Sequence, residues 1–264
     1  MNFQKMSAYL GLILGSCVLT AQTPTQAFTF KTNYDAALTG SEQAKGDILL
    51  RSVELEDGTI LEDFTLVTGA RIKYNDEYVG SNSGAASADI GDQATTGIRV
   101  EDAAPEDIVA VLNNKNLNNI IDTEENGTAE IDLFFENAVD NIFLWERGKN
   151  SQLDIQAIDA EGNAIGQLVQ LGSSAEWANA GYRIDTQEIS GSQSVGAIGI
   201  NISEFDVMGP IVGVRVSSYG KPYNGPDWKL MGSIADIPEP SAVLGLLAAG
   251  GAMLKARRRQ TPQA

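Results

Sequence analysis

The 264-residue chain carries 18 basic against 35 acidic residues, no histidine and a single cysteine. Without histidine, Ser-His-Asp and Cys-His nucleophiles, imidazole proton transfer and the usual zinc sites are excluded. The acidic balance excludes nucleic acid as a partner, because phosphate binding needs clustered Lys and Arg. No G-x-G-x-x-G opens a helix, and neither G-x-x-x-x-G-K-[ST] nor G-x-S-x-G occurs, so nucleotide and redox chemistry have no motif to rest on.

In chain order, residues 1–5 carry one basic side chain, residues 6–21 form an uncharged, mostly apolar run, and residues 22–27 are polar with Pro24. This is the layout of a secretory signal peptide, with cleavage between Ala27 and Phe28, since Thr25 and Ala27 are small. An uncleaved anchor fits less well, because the run is short of the ~20 residues a membrane span needs. Leu14-Gly15-Ser16-Cys17 has the small residues of a lipoprotein box, yet the apolar run continues through Val18 and Leu19. Cleavage at Ala27 leaves no cysteine, so stability has to come from a core rather than disulfides. Setting aside Lys5, Lys255, Arg257, Arg258, Arg259 and Glu239 leaves 13 basic and 34 acidic residues between 28 and 237, a formal charge of −21. That surface suits cations or solubility outside a cell.

The body reads as β. Val53 and Leu55, then Asp57-Gly58, then Phe64 and Leu66 predict a hairpin within residues 51–67. Residues 80–91 are rich in Gly, Ser and Ala and read as a long mobile loop. Pro105, Glu106 and Asp107 open a helix whose apolar face is Ile108, Val109, Val111 and Leu112. Ile131, Leu133 and Phe135 alternate with polar or outward positions, and Ile142-Phe143-Leu144-Trp145 is the unbroken run of a central strand. Residues 153–158 and 165–171 flank a turn at Glu161-Gly162-Asn163, and Val212, Val214 and Val216 alternate along a last strand. Short strands, frequent Gly/Asn/Asp turns and one or two short helices predict a mainly β domain, an antiparallel, jelly-roll-like β-sandwich over residues 28–236.

Three candidate sites follow from residue chemistry. A glycosidase needs two carboxylates roughly 5–10 Å apart. Glu146 stands out, with Trp145 as a sugar platform and Arg147 to hold a carboxylate; otherwise Trp145 ends a core strand and Glu146–Arg147 is a rim pair. Calcium is the one cofactor suggested, since it takes hard oxygen ligands. Its candidate ligands are Asp76, Glu77, Asp89 and Asp92 in one cluster and Asp122 and Glu124 in another, neither with EF-hand spacing, and acidic loops also simply solvate a secreted protein. Tyr219, Tyr223 and Trp228 either form a ligand-facing patch or plug one end of the sandwich.

At the C-terminus, Pro238-Glu239-Pro240 is followed by an uncharged segment, 241–254, and a basic cluster, Lys255, Arg257, Arg258 and Arg259. Fourteen residues of helix reach about 21 Å, and residues 240–259 about 30 Å with snorkelling basic stems. The Gly- and Ala-rich middle makes this a marginal anchor, with its basic end cytoplasmic. The arrangement resembles the PEP-CTERM sorting signal over residues 237–264. The resemblance implies a transient inner-membrane anchor, removal of the tail by an exosortase after signal peptidase has acted, and delivery to the cell surface or matrix.

Phe28-Thr29-Phe30, Lys45-Gly46-Asp47-Ile48, residues 116–123, Trp145-Glu146-Arg147-Gly148, Asn150-Ser151, residues 155–159 with Gly162-Asn163, and Tyr223-Asn224-Gly225-Pro226-Asp227 are similar to one family of exosortase-dependent surface proteins. That resemblance implies export and anchoring; it implies no enzymatic activity, gives no catalytic residues to carry over and stops short of a biochemical function. The expectation is therefore an exported structural or interaction protein. Its alternatives are a calcium- or carbohydrate-binding module that takes surface polysaccharide, and a carboxylate glycoside hydrolase.

Overall fold

The computed structural model describes residues 27–77, 79, 87–90 (backbone only), 100, 102–172, 176–186 and 191–234. Residues 1–26, expected as a signal segment, Asp92, and the tail with Pro238, Glu239, Pro240 and the basic cluster lie outside the described residues. The strands are β1 Phe30–Ala36, β2 Ile48–Leu55, β3 Ile60–Leu61, β4 Phe64–Thr65, β5 Val67–Asn75, β6 Ser87–Ile90, β7 Asn119–Asp122, β8 Thr128–Arg147, β9 Leu153–Ile158, β10 Ala164–Leu171, β11 Ala178–Ile184, β12 Gln193–Asn201, β13 Ile211–Tyr219 and β14 Asp227–Ile234; α1 is Pro105–Leu112.

Every strand pairing is antiparallel, and β8 organises them. Its first half lies between β13 and β5, and its second half between β12 and β14. The first half thus belongs to a five-strand layer, β10-β9-β13-β8-β5, and the second to a layer β11-β12-β8-β14-β7-β6. One core lies between them: Ile131, Leu133, Val214 and Val216 from the first layer meet Leu144, Ile198 and Leu230 from the second. A small sheet, β1-β2-β3, covers the other face of the second layer, where Phe30, Ile48 and Val53 meet Phe143, Trp145 and Met231. The mainly β, antiparallel sandwich is therefore observed.

The unbroken run Ile142-Phe143-Leu144-Trp145 is explained by this layering. Ile142 and Leu144 point into the first core, Phe143 and Trp145 into the second, and all four are buried. A strand covered on both faces has no reason to alternate. Phe143 meets Phe28, Phe30 and Phe64 edge-on at 5.9, 5.0 and 6.0 Å. Each such fully buried side chain contributes roughly 1.5–3 kcal/mol.

Several local expectations change. The Asp57-Gly58 turn forms, with Gly58 at φ +85° and Asp57 Oδ1 accepting from the Thr59 amide at 2.9 Å. The hairpin ends at Leu61, however, and Phe64–Thr65 crosses to pair with β14. Residues 87–90, expected within a loop, form strand β6 against β7. The 211–216 alternation is broken by an irregularity between Ile211 and Gly213, so Ile211 is buried and Val212 is exposed. Helix α1 spans Pro105–Leu112 with Ile108, Val111 and Leu112 buried, and Asp107 accepts from the Ala104 amide at 2.9 Å.

Candidate functional site

The residues singled out at 145–147 lie at the end of the β8–β14 pair, where register places Phe143 beside Met231, Trp145 beside Lys229 and Arg147 beside Asp227. These three pairs share the face turned to the second core, which grades from apolar to ionic in four residues. Arg147 donates from Nε and Nη2 to Asp227 Oδ2 at 2.7 and 2.6 Å, and also to Thr186 Oγ1. Both members of the ion pair are buried.

Lys229, one step inward, is fully enclosed, yet its Nζ donates to two neutral acceptors, the Val111 carbonyl at 2.7 Å and Asn114 Oδ1 at 3.2 Å. The Val111 carbonyl belongs to the last turn of α1, whose carbonyls lack helical partners and carry partial negative charge. Burial pulls the Lys229 ammonium down to about 7.

Glu146 points the other way, towards the first core, and is completely buried. Its Oε2 accepts from the Lys149 amide at 2.6 Å, while Oε1 has no hydrogen-bond partner among the described residues. Burial raises its carboxyl to about 8; the Asp227 charge pushes the same way, and the bond from the Lys149 amide opposes it. Glu146 is thus largely a neutral acid at pH 7. Trp145 is no sugar platform, because its ring lies in the second core and its Nε1 donates to Thr32 Oγ1 at 2.9 Å. Nor do Glu146 and Arg147 form a rim pair: alternation sends them to opposite faces.

Around this end the loops are tied to one another by hydrogen bonds from residues 123, 151 and 152. Ser151 Oγ donates to the Asn224 carbonyl at 2.9 Å, Gln152 N to the Tyr223 carbonyl at 2.9 Å and Thr123 N to the Pro226 carbonyl at 3.1 Å. Gly225 sits at φ +49°, and a Cβ there would meet the Thr123 carbonyl at 2.7 Å. Between α1 and β7, Asn116 Nδ2 donates to Asp47 Oδ1 at 2.8 Å and Asn116 Oδ1 accepts from the Ile48 amide at 3.0 Å. No protein-family model matches this chain, and no curated protein matches it. The placement of these residues therefore stands on geometry alone, and that geometry is of loop fastening.

Of the calcium candidates, Asp92 and the side chain of Asp89 lie outside the described residues. Asp76 accepts from Tyr74 Oη at 2.6 Å and the Thr128 amide at 2.8 Å, which pins the end of β5 to the start of β8. Glu77 is exposed, Asp89 lies in β6 opposite Ile120, and Asp122 and Glu124 are buried at and just beyond the end of β7, both engaged with other groups. Among the described residues no three acids are grouped to hold a metal.

The aromatic trio separates. Trp228 is buried in the first core, whereas Tyr219 is 45% exposed and meets Tyr223 edge-on at 5.4 Å and 77°. Sequence reasoning missed Lys229 and Asp227: an isolated Lys in an apolar strand, Trp228-Lys229-Leu230-Met231, was the available signal.

Proposed function

We propose that this chain is an exported cell-surface or extracellular-matrix protein, sorted and processed by an exosortase, with a non-enzymatic structural or interaction role. The observation that carries this reading is the tail: Pro238-Glu239-Pro240, the apolar segment 241–254 and the cluster at Lys255, Arg257, Arg258 and Arg259. Among the described residues no helix is long and apolar enough to cross a membrane, so the proposed anchor is the tail itself. Signal peptidase and the exosortase are its processing partners, and the inner membrane holds it only in transit.

Two features of the domain support a structural role. An antiparallel sandwich fastened by buried bonds suits a cysteine-free protein outside the cell, where disulfides would otherwise stabilise it. Glu146, the strongest catalytic candidate, is enclosed and helps hold the 148–151 loop through the Lys149 amide.

The test is a triple substitution, Pro238→Ala, Glu239→Ala and Pro240→Ala, in the native host. The native chain is expected in the surface fraction without its tail, and the variant in the inner-membrane fraction with it. Equal delivery and equal trimming of both chains would overturn the reading.

A further inference from the structure

The outer face of the five-strand layer carries side chains in cross-strand rows. Register sets Tyr74, Glu130, Ser217, Asp154 and Gln170 side by side, one from each strand. Tyr219 follows Ser217 on the same face, and Tyr223, from the single turn after β13, folds its ring against Tyr219.

The polar tips of this row are already tied to one another. Tyr223 Oη donates to Asp154 Oδ2 at 2.8 Å, Gln170 Nε2 to Asp154 Oδ1 at 3.2 Å and Tyr219 Oη to Glu130 Oε2 at 3.3 Å. Tyr74 and Tyr219 remain about half-exposed although their hydroxyls are engaged, so what they offer a ligand is mostly ring surface. Fixing these groups beforehand reduces the ordering cost of binding.

The chemistry of the row selects its occupant. Arg215 is bound to Asp132 at 2.6 Å and lies 3.6 Å from Glu130, so its charge is spent within the sheet. The other acids then leave the face mildly negative, which disfavours phosphate chains, anionic lipid and acidic glycans. An apolar protein surface would find Leu168 and, at the start of β13, Val212 as exposed large aliphatic residues here, too little for a docking patch. Half-exposed tyrosine rings beside carboxylate and amide acceptors suit a molecule with C–H faces and many hydroxyl donors. We propose that this row is a binding platform for a neutral polysaccharide, with Tyr219 and Tyr74 stacking on sugar rings and Glu130 and Gln170 accepting sugar hydroxyls, while the buried Asp154 holds Tyr223 and Gln170 in place. It rests on the surface-display reading for its setting, but binding by the domain does not depend on how the tail is processed.

Affinity electrophoresis of the surface-extracted protein through gels containing dextran, mannan, mixed-linkage β-glucan or alginate tests it. At least one neutral polymer should retard the native protein, while alginate should not. Tyr219→Ala should weaken the apparent affinity about tenfold or more with an unchanged circular dichroism spectrum, and Ile60→Thr on the small sheet should leave it unaltered. A second variant, Gln170→Ala, should weaken binding while keeping the tyrosines. The proposal is overturned if no neutral polymer retards the native protein, if alginate retards it as strongly, or if Tyr219→Ala and Gln170→Ala both migrate like the native chain.

Discussion

Two buried cations sit one residue pair apart on the β8–β14 ladder and are handled in opposite ways. Arg147 has a carboxylate partner in Asp227, whereas Lys229 has only the end of a helix and an amide. The planar guanidinium binds its carboxylate through two nitrogens and stays charged. The lysine instead sheds much of its charge at neutral pH, because deprotonation is the cheaper response to burial. The contrast shows that a buried basic residue in this fold is a fastening, in one case between strands and a neighbouring loop, in the other between a strand and a helix. Glu146, on the opposite face, is the acidic counterpart of Lys229 and is neutralised by taking up a proton.

The largest expected effect comes from breaking the ion pair. Asp227→Ala leaves the Arg147 guanidinium buried without its carboxylate and should cost about 3–5 kcal/mol, measured by urea denaturation. Next is the pH response of Lys229. From about 7 up to its ordinary 10.5, the unfolded chain binds a proton that the folded one has released. Stability should therefore rise through that window by up to about 1.4 kcal/mol per pH unit. Lys229→Met removes that slope, and a variant that keeps it shows that another group is responsible.

Glu146 gives the reverse sign. Between its ordinary 4.5 and about 8 the folded protein holds a proton that the unfolded chain has lost. Its contribution is fully present below the lower value and is lost as pH rises through the upper one. Glu146→Gln should flatten the fall in stability across pH 5–8 while the neutral amide still accepts from the Lys149 amide. The smallest effect is at Asp76. Asp76→Asn should cost on the order of 1 kcal/mol, because bonds to Tyr74 and Thr128 weaken. The loss should be the same with and without millimolar calcium, whereas a calcium-dependent loss would make Asp76 a ligand.

Much of the fold was legible because local patterns carried it. Ile142-Phe143-Leu144-Trp145 announced a strand covered on both faces, residues 153–158 matched β9, and Pro105-Glu106-Asp107 opened α1. What escaped depends on partners far along the chain. Arg147 and Asp227 are 80 residues apart, so the composition of residues 145–147 suggested a local rim pair. The irregularity between Ile211 and Gly213, where β8 runs from Phe134 to Val139 against two steps of β13, put Ile211 rather than Val212 in the core, while Val214 and Val216 kept their expected places. Glu146 read as a catalytic candidate because acid, tryptophan and arginine were adjacent in sequence. Strand alternation then divided them between two cores. The Tyr74–Gln170 row was invisible for the same reason: its five residues come from five strands and become neighbours only through register.

The central claim is that the chain works outside the cell after losing both ends. Intact mass spectrometry of the protein extracted from the cell surface tests it most directly. The expected mass lacks the residues before Phe28 and the segment after Pro238-Glu239-Pro240, with any excess reporting attached sugar or lipid. A mass that still includes residues 241–264 would make the tail a permanent anchor and contradict the account.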